Sequence, residues 1–154
     1  MKYLLSIIAF LILTTPGLLA QETDVMKNKS NQDAAIEESN IPDSEKLVVL
    51  WTSGDPEVAK KMVFMYTYNA KKYEWWKDIT LIVWGPSAKL LTEDKELQET
   101  IKNMSEIGIH LLACKGCADQ YDVSEDLEKL GVEVKYIGVE LTDFIKGDYH
   151  LVTF

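Results

Sequence analysis

Five short apolar runs, at residues 47–51, 79–84, 109–113, 132–137 and 150–154, recur along this chain with amphipathic or turn-rich stretches between them. Runs of this length, flanked by Gly, Pro and Asp, read as strands covered on both faces. Between them the spacing becomes helical. Asp55-Pro56-Glu57 supplies a cap, a proline for the first turn and an early acid. Val58, Met62, Val63, Tyr66, Ala70 and Tyr73 then follow at helical intervals. A second helix is predicted from about residue 93, with Thr92 as cap, Leu97, Ile101 and Met104 as its stripe, and Gly108 as its stop. Shorter helices are predicted at 124–130, capped by Ser124, and at 141–146. Strands alternating with helices predict an α/β fold: a three-layer α/β/α sandwich built on a mainly parallel five-stranded sheet.

The folded part begins near Lys46. Residues 1–20 have the pattern of a secretory signal: Lys2, an apolar run from Tyr3 to Leu13, a Pro16-Gly17 break and a small residue at Ala20. An uncleaved anchor is the competing reading, although the run is shorter than the roughly 18 residues of a spanning helix. Residues 21–45 are polar and acidic, the composition of a disordered linker. Residues 46–154 then form one domain, in an exported (periplasmic or secreted) protein. The formal net charge is −9 and every basic residue is lysine. Such a chain lacks the basic footprint for nucleic acid, and no stable membrane association is expected once the signal is removed.

In a parallel sheet, ligands bind beyond the carboxyl ends of the strands. Three turns share that rim: Thr52-Ser53-Gly54, Gly85-Pro86-Ser87 and Cys114-Lys115-Gly116-Cys117. The last holds the only two cysteines of the chain. In an oxidising compartment an even pair is a disulfide by default, but a bridge here would enclose two residues and constrain almost nothing. A working pair is therefore the preferred reading, with thiol, persulfide or disulfide chemistry all open. Cys114 ends its strand where free backbone N–H groups favour a thiolate, the nucleophilic form. Cys117, about one helical turn on, can attack a sulfur carried by Cys114. Lys115 brings a positive charge, which Asp119 and Asp122 oppose.

Other chemistries fit less well. His110 shares a strand face with Cys114, but His-x3-Cys-x2-Cys offers three ligands where a structural zinc site takes four, so no metal is assigned. Ser53 and Ser87 lie in no Gly-x-Ser-x-Gly elbow and read as turn residues. No Gly-rich phosphate loop is present. Tyr66, Tyr68, Tyr73, Trp75 and Trp76 read mostly as helix core and helix end, with self-association as their functional alternative.

Four stretches taken in order resemble the DsrE/DsrF-like family. They are Trp84-Gly85-Pro86-Ser87-Ala88-Lys89-Leu90-Leu91, Ala113-Cys114-Lys115-Gly116-Cys117-Ala118-Asp119, Gly131-Val132-Glu133-Val134 and Leu151-Val152-Thr153-Phe154. The resemblance implies a three-layer fold, homo-oligomers, and sulfur-relay activity in which a cysteine after the third strand carries sulfane sulfur as a persulfide. Cys114 occupies that position. No cofactor is implied, and the partners expected are a sulfur donor or acceptor protein. The expected site is thus catalytic Cys114 and Cys117, with Ser53, Gly85 and Lys115 toward substrate. A dithiol–disulfide oxidoreductase using the same pair, and a non-catalytic oligomeric binding module, are the alternatives.

Overall fold

Why one cysteine faces a thinly covered side of the sheet follows from the order in which the strands are laid down. The computed structural model describes Pro42 and residues 45–154. The expected signal segment and nearly all of the expected linker lie outside the described residues. The strands are β1 (Lys46–Trp51), β2 (Asp78–Val83), β3 (His110–Cys114), β4 (Glu133–Lys135) and β5 (His150–Thr153). They form one sheet in the order β4-β3-β2-β1-β5, and every neighbouring pair is parallel.

The helices are α1 (Pro56–Val58), running through a π-helical stretch Ala59–Phe64 into α2 (Met65–Lys72), then α3 (Pro86–Glu93), α4 (Lys95–Glu106), α5 (Lys115–Gln120), α6 (Ser124–Lys129) and α7 (Gly138–Lys146). From β1 to β4 the chain steps in one direction across the sheet. Right-handed crossovers therefore stack α1 to α6 on one face. The return from β4 to β5 runs the opposite way and leaves α7 on the other face.

The two cores have unequal sizes. Leu47, Val49, Trp51, Ile79, Leu81, Val83, Leu111 and Ala113 meet Phe64, Leu91, Leu97, Ile101, Met104 and Leu127 in the larger one. The smaller consists of Val48, Ile82, Leu112, Cys114 and Ile137, with Leu141, Phe144 and Tyr149 packed partly against it. Strand alternation puts Cys114 in this second cluster. α7 contributes no fully buried residue, and Val139 and Ile145 are 77% and 63% exposed.

Several local expectations need correction. Asp94, not Thr92, caps the long helix: its carboxylate accepts the Glu96 and Leu97 amides at 2.9 and 3.2 Å. The Thr92 hydroxyl instead donates to the Lys89 carbonyl, at 2.9 Å. Residues after Gly85 form the separate helix α3. Ser124 makes no capping bond; it donates to Asp119 at 2.7 Å. The strand expected at 132–137 is paired only over Glu133–Lys135, and the last helix starts earlier, at Gly138.

The π-helical stretch explains a further difference. Bonds from i to i+5 widen the turn and rotate the face that follows. The buried set is Ala59, Val63, Phe64, Thr67 and Ala70, while Met62 and Tyr73 are exposed, against the expected stripe. Trp75 is exposed as well, whereas Tyr66, Tyr68 and Trp76 pack partly on the core.

Candidate functional site

Parallel register delivers the three turns to one rim. A Cβ built on Gly54 would lie 3.0 Å from Pro86 Cβ, so the first two turns nearly touch. The Ser87 hydroxyl locks them together: it donates to the Trp51 carbonyl at 2.7 Å and accepts the Trp84 amide at 3.0 Å. Ser87 is fully buried, so its role here is to join β1 to β2. Gly85 adopts φ +71°, ψ −134°, a conformation that side chains resist. Its backbone amide hydrogen-bonds the Cys117 sulfur.

Cys114 is the last residue of β3 and also the residue from which α5 starts. It is buried, Cys117 is half-buried, and both are free thiols. Their side chains share a hydrogen bond. Burial, followed by that bond to Cys114, pushes the Cys117 thiol up, against a smaller opposing effect of the Gly85 amide. Cys117 is thus held above the usual thiol range. The arrangement is a buried sulfur with a second, half-buried thiol beside it.

The charge expected to act on Cys114 is engaged elsewhere. Lys115 Nζ lies 2.6 and 2.8 Å from the two carboxylate oxygens of Asp119. It also sits over the Tyr136 ring, 5.7 Å from the centroid. Asp119 in turn accepts from Ser124 and, at 3.4 Å, from the Tyr136 hydroxyl. Lys115, then Ser124, hold the Asp119 carboxyl below its usual range. Asp119 was legible as an i,i+4 partner of Lys115. Nothing in the spacing singled out Tyr136, which reaches the site only because β4 lies beside β3.

Ser53 sits at a different corner. Its amide donates to the Phe154 carbonyl at 3.3 Å, and its hydroxyl accepts the Asp55 amide at 3.1 Å. That corner belongs to β1 and β5, while Cys114 ends β3, two strands away and so about 10 Å across the sheet. His110 lies at the opposite end of β3 from Cys114, with Nε2 3.3 Å from Asp78 Oδ1. Of the expected site residues, the fold brings together Cys114, Cys117 and Gly85, with Lys115 at the edge.

The fold defines a class of small three-layer α/β proteins with a parallel five-stranded sheet, and comparison gives the family. The profile of the DsrE/DsrF-like family matches residues 45–154, and the chain belongs to that family. Among solved structures it is similar to a conserved protein of unknown function, BT1422, from Bacteroides thetaiotaomicron. That match has 34% identity and a TM-score of 0.69, and covers 71% of this chain and 95% of the other. It also shares its fold with the ychN protein from E. coli, at 18% identity and a TM-score of 0.53, over 71% of this chain and 98% of that one. No curated protein matches the chain.

Proposed function

We propose that this protein is an exported sulfur carrier in which Cys114 holds sulfane sulfur as a persulfide. The observation that supports this reading most is the placing of two free cysteines, buried Cys114 and half-buried Cys117, at the tip of β3 and in the first turn of α5. In the loading step the Cys114 thiolate attacks the outer sulfur of a donor persulfide. A new S–S bond forms on Cys114, and the donor thiolate leaves with the electron pair of the bond it loses. No net oxidation occurs, so neither cofactor nor metal is required. Unloading to an acceptor thiolate is the same exchange in reverse.

Cys117 supplies a second exit. As a thiolate it attacks the inner sulfur, forming the Cys114–Cys117 disulfide and expelling hydrosulfide; an external dithiol then restores both thiols. The same adjacency favours a second reading, dithiol–disulfide exchange without sulfur transfer. Export rests on the character of residues 1–20, which are not described here; among the described residues no helix is long and apolar enough to cross a membrane. A homo-oligomer is part of the proposal, supported by the exposed apolar side chains of α7.

Intact-mass analysis before and after incubation with a polysulfide, with cysteine mapping, tests the reading. A 32 Da gain on Cys114, reversed by reductant and missing in Cys114→Ser, is the expected result. A stable internal disulfide that takes up no sulfur would transfer the assignment to redox exchange.

A further inference from the structure

Gly116 is a glycine without a backbone reason. It lies inside α5, its φ is not in the left-handed region, and alanine is the better helix former. Nor would an added Cβ clash: its closest neighbours would be Tyr136 Cε1 at 3.8 Å and Cys114 Sγ at 4.0 Å, ordinary contact distances. What the missing methyl leaves is a space whose nearest side-chain neighbours are the Cys114 sulfur and the edge of the Tyr136 ring. The ring is held there by Asp119 through its hydroxyl and by Lys115 over its face.

We propose that Gly116 is the specificity-determining residue of the Cys114 site, and that the space it leaves between Cys114 Sγ and Tyr136 receives the outer sulfur atom. The proposal rests on the sulfur-carrier reading and deepens it. An S–S bond is about 2.05 Å long, so a sulfur directed toward this space would come about half of the 4.0 Å that separates Sγ from an alanine methyl. The unmodified thiol and the methyl are compatible; the sulfur-bearing cysteine and the methyl are not. The Tyr136 ring forms the outer wall, and sulfur packs favourably against the edge of an aromatic ring. Tyr136 is 74% exposed, so the wall borders solvent and can be approached from outside.

The test uses the full chain in a Cys117→Ser background, so that the neighbouring thiol cannot displace the incoming sulfur. Methyl methanethiosulfonate is the probe. The Cys114 thiolate attacks its methylthio sulfur, an S–S bond forms, and methanesulfinate leaves. Overpacking of the slot is expected to slow this reaction in Gly116→Ala at least about tenfold, with an unfolding midpoint equal to or above that of the parent. Equal rates in the two proteins would overturn the proposal. Polysulfide uptake by the unsubstituted chain is measured in parallel. If uptake is absent and the methylthio rates still differ, the slot stands and the carrier reading falls. If uptake occurs and the rates are equal, the carrier reading stands and the slot falls.

Discussion

Lys115 Nζ and the Asp119 carboxylate meet at 2.6 and 2.8 Å, one turn apart on α5, so the positive charge beside Cys114 is already engaged. The pair spans the first turn of α5, next to Cys114 in the chain. It also fixes Tyr136, which touches both partners. Asp119→Asn removes the counter-charge and weakens the anchor of the ring. A freed ammonium favours the thiolate, and iodoacetamide labelling of Cys114 at neutral pH should rise roughly two- to fivefold. Unchanged labelling would show that the pair does not influence the sulfur. Acid also breaks the pair. Because the Asp119 carboxyl is held low, mainly by Lys115, its stabilising contribution is present above the unfolded-state value. That contribution is lost as pH falls through the folded-state value. An NMR titration of the Asp119 carboxyl should place its midpoint below that of an unstructured aspartate.

The Cys117 thiol is raised, first by burial and then by its bond to Cys114. A raised group contributes stability that is complete below its unfolded value and disappears as pH climbs through the folded one. Between about pH 8 and pH 10, the unsubstituted protein should lose more stability than Cys117→Ser, as measured by urea midpoints across that range. Native-state alkylation of Cys117 at pH 8 should also be slower than that of a free peptide thiol. Parallel pH profiles for the two proteins would count against the assignment.

Ser87 is buried with its hydroxyl between the Trp51 carbonyl and the Trp84 amide. Ser87→Ala does not orphan those groups, because the Trp84 amide also reaches the Trp51 carbonyl, at 2.9 Å. The expected loss is therefore about 1 kcal/mol, not the ~3 kcal/mol of an abandoned buried group. Equilibrium unfolding reads the difference. A loss at the higher value would mean that the hydroxyl holds the whole rim in place.

Val139 and Ile145 are the exposed apolar positions of α7. If a second copy covers them, Val139→Asp with Ile145→Asp should reduce the mass measured by light scattering while leaving the monomer folded, because neither residue supports the internal core. A monomeric parent at high concentration would remove the oligomer from the proposal.

Short apolar runs, turn residues and the Asp55-Pro56 start were sufficient for the parallel α/β architecture, because burial on both faces imposes a composition readable locally. The cysteine pair was legible for a similar reason: a strand, a turn and two thiols are contiguous in the chain. Helix phase was less legible. Met62 and Tyr73 obey a 3.6-residue period on paper, but the π-helical stretch at Ala59–Phe64 rotates the helix and leaves both in solvent. Asp94 displaced Thr92 as cap because a carboxylate two and three residues before free amides binds both of them.

The sequence by itself determined which segments become strands, that they run parallel, and that two thiols stand at the end of the third. Those outcomes depend on local hydrophobic pattern and on connection rules that act between neighbours. Only the tertiary structure decided that Gly85 would bind Cys117, that Ser53 would sit two strands from Cys114, and that Tyr136 would stand across from Gly116. Each depends on strand order, and strand order is set by how the whole sheet buries its faces.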